Sequence, residues 1–128
     1  MEIVNYNATT LAFIGDAWMS LKVRMHMLEK GYQNPNTLQK KCSAWVCAKA
    51  QAKMLLILKE ENFFQEDEEL ILARGRNATI KTKAKNADIM TYRYSTAFEA
   101  LIGYLYLFHK EDRLEKLWNR IQEIGETL

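Results

Sequence analysis

Two acidic residues stand where acids are least expected. Asp16 is the single charge in LAFIGDAWM, residues 11–19, and Glu99 is the single charge in STAFEALIGYLYLF, residues 95–108. An ionised carboxylate taken out of water costs roughly several kcal/mol unless a cation, a metal or hydrogen-bond donors meet it, so each needs a partner. Small residues adjoin both: Gly15 and Ala17 beside Asp16, Ala100 and Gly103 beside Glu99. If two helices approach each other along those small residues, the carboxylates face one another. Like charges in a dry site then raise one pKa or are neutralised by a divalent cation. Carboxylate oxygens suit Mg²⁺, which keeps several waters and leaves positions open for a phosphate. Two blander readings stand beside this one: Asp16 as the cap of a helix that starts after Gly15, and Glu99 as a first-turn acid favoured by the helix dipole.

The elements that must position these residues read as helices. Leu11, Ile14, Trp18, Leu21, Met25 and Leu28 recur at spacings of three and four, which predicts one helix over about 10–30 with that stripe on the core and Gly31 as its stop. Asn34-Pro35-Asn36 opens the next helical stretch, 38–59, as one helix or as two broken near Ser43. Residues 65–74 run from acids to Arg74, the order that suits a helix dipole, with Gly75 as the stop. Residues 75–92 show no apolar period and read as a mobile basic loop. Ser95 or Thr96 then caps a helix whose core stripe is Phe98, Leu101, Leu105 and Phe108. Asp112 with Glu115 suggests a capping box for a last helix burying Leu114, Leu117, Ile121 and Ile124. No segment alternates with period two. The expected fold is all-α, six to seven helices, one domain over residues 1–128.

Composition narrows the function classes. With 128 residues and 48% hydrophobic content the chain can bury a core without staples. The longest uncharged run, Ile3 to Gly15, is too short to cross a bilayer, and the first residues lack a signal-peptide layout, so a soluble, cytoplasmic protein is expected. Cys42 and Cys47 point about 140° apart on a regular helix and complete no zinc pattern, so they are expected to be reduced structural thiols. The net charge of +2 hides an uneven layout: eight bases against Glu29 between Lys22 and Lys59, then six acids and no base from Glu60 to Glu69, then six bases against Asp88 from Arg74 to Arg93. That layout fits a phosphate-rich partner, and equally a solvated helix face followed by an ordinary basic loop.

LAFIGDAW resembles the signature helix of the ribonuclease III family, E-R-L-E-F-L-G-D-A, and TAFEALIGYLYL resembles its second motif, D-T-V-E-A-L-I-G. The likeness is closer to the Mini-ribonuclease III branch, which lacks a double-stranded-RNA-binding domain and combines GDA, RGRNA and TYRYSTxFEALIGYLYL in one short chain. All three stand here, as Gly15 to Ala17, Arg74 to Ala78 and Thr91 to Leu107, and the likeness spans about residues 10–110. It implies that Asp16 and Glu99 are catalytic metal ligands. It also implies that Phe13, which follows a lost signature glutamate, packs into a partner subunit in a homodimer, with a place in the chain's own core as the alternative reading of that residue. The departures are Thr9 and Ala12 in place of the signature glutamates and Thr96 in place of the second-motif aspartate. Water, Thr96 or RNA phosphates would have to complete the metal shell.

The implied activity is Mg²⁺-dependent cleavage of double-stranded RNA, with Mn²⁺ as a possible substitute, giving 5′-phosphate and 3′-hydroxyl ends with a short 3′ overhang. The implied substrate is the stem of precursor 23S ribosomal RNA. Arg74, Arg76, Lys83, Lys85 and Arg93 are the expected backbone grip, Asn77 reads equally as a sugar or base-edge contact or as a turn residue, and Tyr92 and Tyr94 are expected to be buried. Two readings from other classes remain open. One is a catalytically silent RNA-binding module of the same fold; the other is an all-α nucleotide pyrophosphohydrolase, for which Glu66 to Glu69, in a segment that reads as solvated, would be the carboxylate cluster.

Overall fold

The computed structural model describes residues 6–78 and 87–128. Among them are six helices and no strand: α1 (Ala8–Glu29), α2 (Pro35–Val46), α3 (Ala48–Glu60), α4 (Glu66–Arg76), α5 (Ala87–Leu107) and α6 (Glu111–Gly125). The all-α expectation holds. Of the basic loop expected over 75–92, residues 79–86, with Lys83 and Lys85, lie outside the described residues, and the expectation is corrected at its ends, where 75–76 belong to α4 and 87–92 to α5.

Asn7 starts α1, its side chain accepting from the Thr10 amide at 2.8 Å. Gly31, at φ +99°, ends it, and the Tyr32 N–H donates back to the Met27 carbonyl. Asp16 therefore sits mid-helix and is not a cap; it is exposed, so the expectation of a carboxylate withdrawn from water fails there. The core stripe expected on α1 is corrected in part. Leu11 is buried, but Leu21, Met25 and Leu28 are 58%, 46% and 54% exposed, and the buried line runs through Ala8, Leu11, Ala12, Gly15, Met19, Val23 and Met27. The helix is apolar nearly all round, so periodicity could not choose its inner face. The smaller residues chose it, because they let α5 come close.

That approach is backbone on backbone. A methyl group at Gly15 would overlap the carbonyl oxygen of Glu99, and one at Gly103 would overlap that of Leu11. Phe98, Leu101, Ile102 and Leu105 fill the space beside the crossing. α3 and α4 pack on α5, α2 on α1, and α6 closes the bundle against α5 and α3. The 38–59 stretch is two helices because one straight rod cannot pack on both α1 and α5. The break falls at Cys47, where the backbone is extended, rather than near Ser43. Cys42 is buried, Cys47 is exposed, and both are free thiols.

Three helix ends differ from expectation. Gly75 is inside α4 and is no stop: a Cβ there would lie 2.6 Å from the Ala97 Cα, so it marks a second close crossing, α4 on α5. α5 starts at Ala87 rather than at Ser95 or Thr96, which puts Glu99 well past the first turn and removes the dipole reading of that acid. α6 starts at Glu111 after Lys110, without a side-chain cap, so Asp112 and Glu115 form no capping box. Its expected core residues are all buried.

Candidate active site

The crossing of α1 and α5 sets Asp16 and Glu99 side by side. Gly15 presses on the Glu99 backbone, so the carboxylate of the next residue on α1 emerges beside the Glu99 side chain. Glu99 is pushed up to about 8, first by burial, then by the hydrogen bond it shares with Asp16 and by the charge of Asp16. Glu99 therefore keeps its proton near neutral pH.

Both acids open into a cleft of about 1010 Å³, lined also by Thr9, Ala12, Phe13, Arg74, Tyr92, Arg93 and Thr96. Of the expected basic grip, Arg74 and Arg93 reach this cleft. Arg74 Nη2 donates to the Tyr6 carbonyl at 3.4 Å and Arg93 Nη1 to the Arg76 carbonyl at 3.0 Å, and neither makes an ion pair among the described residues. Arg76 does not reach it. Its side chain lines a separate small cavity with Lys59, Glu69 and Tyr94. Asn77 caps the C-terminus of α4, outside the cleft. Tyr92, expected to be buried, is 41% exposed at the cleft, whereas Tyr94 is half-buried. Phe13 stands at the rim, 74% exposed.

One residue at the site carried no signal that sequence reasoning used. Gln51 of α3 is buried to 1% exposure, accepts from Ser95 Oγ at 2.6 Å, and sits close enough to Glu99 to lower its pKa. The available clue was a polar amide on the stripe it shares with Leu55 and Leu58, both fully buried.

The donor set suits one class of cation. Among the described residues no group of three or more His, Cys, Asp or Glu side chains is placed to hold a metal, so the protein offers two carboxylates and the Thr96 hydroxyl, all oxygen. An ion that keeps several waters, such as Mg²⁺, fits such a sparse set. Three of the four acids of α4, in contrast, are engaged, and Glu66 is exposed. Glu68 is buried with Arg113, Asp67 accepts from the Tyr104 hydroxyl at 2.7 Å, and Glu69 pairs with Lys59 at 2.9 Å. The expectation of a solvated segment fails at Glu68, and the pyrophosphohydrolase reading loses its cluster.

The profile of the ribonuclease III domain matches residues 9–110, so the chain belongs to the ribonuclease III family and is an endoribonuclease. Its relatives place it more narrowly. It is 48% identical over 111 residues to Mini-ribonuclease 3 of Streptococcus pneumoniae, covering 87% of each chain, and 50% identical over 111 residues to Mini-ribonuclease 3 of Brevibacillus brevis, covering 87% of this chain and 81% of that one. A crystal structure of a Fusobacterium nucleatum protein superposes with a TM-score of 0.82 at 36% identity, covering 91% of this chain and 93% of the other. No helix among the described residues is long and apolar enough to cross a membrane.

Proposed function

We propose that the chain is a cytoplasmic, homodimeric, Mg²⁺-dependent endonuclease of double-stranded RNA, with Mn²⁺ able to substitute, and that it trims the stem of precursor 23S ribosomal RNA. The observation that carries the reading is the meeting of Asp16 and Glu99 in a cleft flanked by Arg74 and Arg93. Asp16 and Glu99 would hold the ion, with Thr96, water and phosphate oxygens completing its shell. A bound Mg²⁺ supplies Lewis-acid stabilisation of developing charge and lowers the pKa of bound water. Arg74 and Arg93 neutralise phosphates on either side of the scissile bond, and Tyr92 lies where a ribose or base edge would pass. No side chain serves as a covalent nucleophile. Water is the attacking group, and the ends are 5′-phosphate and 3′-hydroxyl with a short 3′ overhang. The natural substrate and the ends follow from likeness to the Mini-ribonuclease III branch.

The dimer is supported by α1. Phe13, Ala17, Leu21 and Leu28 lie on one exposed face, at spacings of four, four and seven, and an apolar helical stripe of that length fits the same stripe of a second copy. Two symmetry-related sites would cut the two strands of a duplex whose A-form shape, rather than its sequence, is read.

The test is a duplex-cleavage assay. Cutting is expected with Mg²⁺, lost with a chelator and restored by Mn²⁺. Binding without cutting under every metal condition would leave the silent RNA-binding module as the reading. Light scattering of Phe13→Ala is expected to show monomers where the wild type is a dimer.

A further inference from the structure

Among the described residues, one buried side-chain polar atom lacks a hydrogen-bond partner: Nε2 of Gln51. Buried amide N–H groups are rarely left unpaired, and an unpaired one costs free energy, so this orphan calls for a reason. Its surroundings supply one. Ser95 Oγ donates to Gln51 Oε1 at 2.6 Å, which fixes the amide with its oxygen toward Ser95 and its N–H₂ turned away. Ser95 lies one helical turn before Glu99 on α5, so the turned-away nitrogen is directed along that face of α5 toward the Glu99 carboxyl.

We propose that Gln51, oriented by Ser95, is a positioning residue for Glu99: its Nε2 donates to one carboxyl oxygen and leaves the other facing Asp16 and a divalent cation. The inference rests on reading Asp16 and Glu99 as metal ligands. Nε2 is the one buried side-chain polar atom without a partner among the described residues, and the Glu99 carboxyl is the acceptor on the side to which it is turned. An amide suits the place better than Lys or Arg. A buried cation would neutralise Glu99 and cancel the charge that attracts the ion, whereas a neutral donor orients the carboxylate and leaves the site its two negative charges. The same logic gives Ser95 its role. A hydroxyl inside a helix can satisfy itself on the preceding turn, and here it instead donates to Gln51 from the far side of the core.

The experiment is Mn²⁺ titration of the RNA-free dimer, followed by electron paramagnetic resonance, with kcat and KM for a duplex measured at saturating metal. Gln51→Leu is expected to weaken Mn²⁺ binding about tenfold, the scale of one hydrogen bond to a charged group, and to lower kcat while KM stays within about twofold. Ser95→Ala is expected to weaken it less, and the double variant no more than Gln51→Leu alone, because Ser95 acts through Gln51. Should Gln51→Leu fail to fold, Gln51→Met keeps the length of the side chain without the donor and is expected to lose the same affinity. Wild-type Mn²⁺ affinity in either Gln51 variant, or additive losses in the double variant, would overturn the proposal. Glu99→Gln separates the two readings: if it binds Mn²⁺ like the wild type, the ligand assignment itself is wrong, whereas loss there with full retention in Gln51→Leu rejects only the positioning role.

Discussion

Glu68 and Glu99 are two carboxylates in the same small bundle, one buried and one half-buried at a cleft, and they are treated in opposite ways. Glu68, 1% exposed, receives Nε and Nη2 of Arg113 at 2.7 Å each and the Gln65 amide at 3.1 Å, while Arg113 also donates to the Phe63 carbonyl and stacks over the Phe63 ring. Every lone pair that matters has a donor, in the bidentate geometry that makes such pairs strong. Glu99 has the Asp16 carboxyl for its neighbour, and the amide turned toward it, Gln51 Nε2, has no hydrogen-bond partner. The Glu68 carboxylate holds α4 against α6, whereas the Asp16–Glu99 pair faces the cleft with no cation of the chain paired to it among the described residues. Perturbed groups mark function when the protein has declined to satisfy them.

That contrast can be broken at either end. The largest expected effect is on cleavage: Asp16→Asn and Glu99→Gln each reduce it by about 10²-fold or more, while circular dichroism stays native and duplex binding is retained. Near-wild-type rates in either would make that residue merely structural. On stability the two carboxylates should move in opposite directions. Arg113→Leu strands Glu68 and is expected to lower unfolding free energy by about 3–5 kcal/mol in urea titrations, with kcat per folded molecule unchanged. Glu99→Gln needs no proton taken up on folding and is expected to raise the metal-free Tm near neutral pH. Gly15→Ala inserts a methyl into the α1–α5 contact and is expected to cost about 1–3 kcal/mol and to weaken metal binding as the carboxylates separate.

The pH dependence sharpens the same comparison. Glu99 titrates near 8 in the folded, metal-free protein, above its ordinary 4.5, so the folded state holds the proton more tightly than the unfolded one. The stability this provides is complete below about pH 4.5 and is lost as pH rises to 8. The metal-free Tm is therefore expected to fall across that window, the slope to shrink in Glu99→Gln, and Mn²⁺ affinity to rise with pH because binding releases the proton. A Tm slope identical in wild type and Glu99→Gln would refute the shift. The smallest effect concerns the arginines. Neutralising Arg74 and Arg93 together should reduce the slope of log binding constant against log salt by about 2, whereas Arg76→Ala, whose side chain lies outside the cleft, should change it by less than one phosphate contact.

Much of the site is legible in the order of the amino acids. Lone acids in apolar helices flanked by glycines have few uses, and both Asp16 and Glu99 lie at the crossing that their small neighbours suggest. Local signals also mark α1 nearly whole as one helix ending at Gly31, and the buried stripe of α6. They fail where competing local signals agree on the wrong answer. Gly75 looks like a helix stop, and Ser95 and Thr96 look like caps, because those residue types serve both local ends and close or buried contacts; only the presence of Ala97 beneath Gly75 and of Gln51 opposite Ser95 decides between them.

The sequence by itself determined the helical class, the pair of carboxylates and the small residues that let them meet, because these depend on composition and on spacing within one helix. The tertiary structure decided which face of α1 is the core, which arginines flank the acids, and that a glutamine nearly fifty residues away from Glu99 in the chain stands beside it. Those outcomes depend on contacts between segments distant in sequence, and no periodicity within a helix can encode which neighbour it will find.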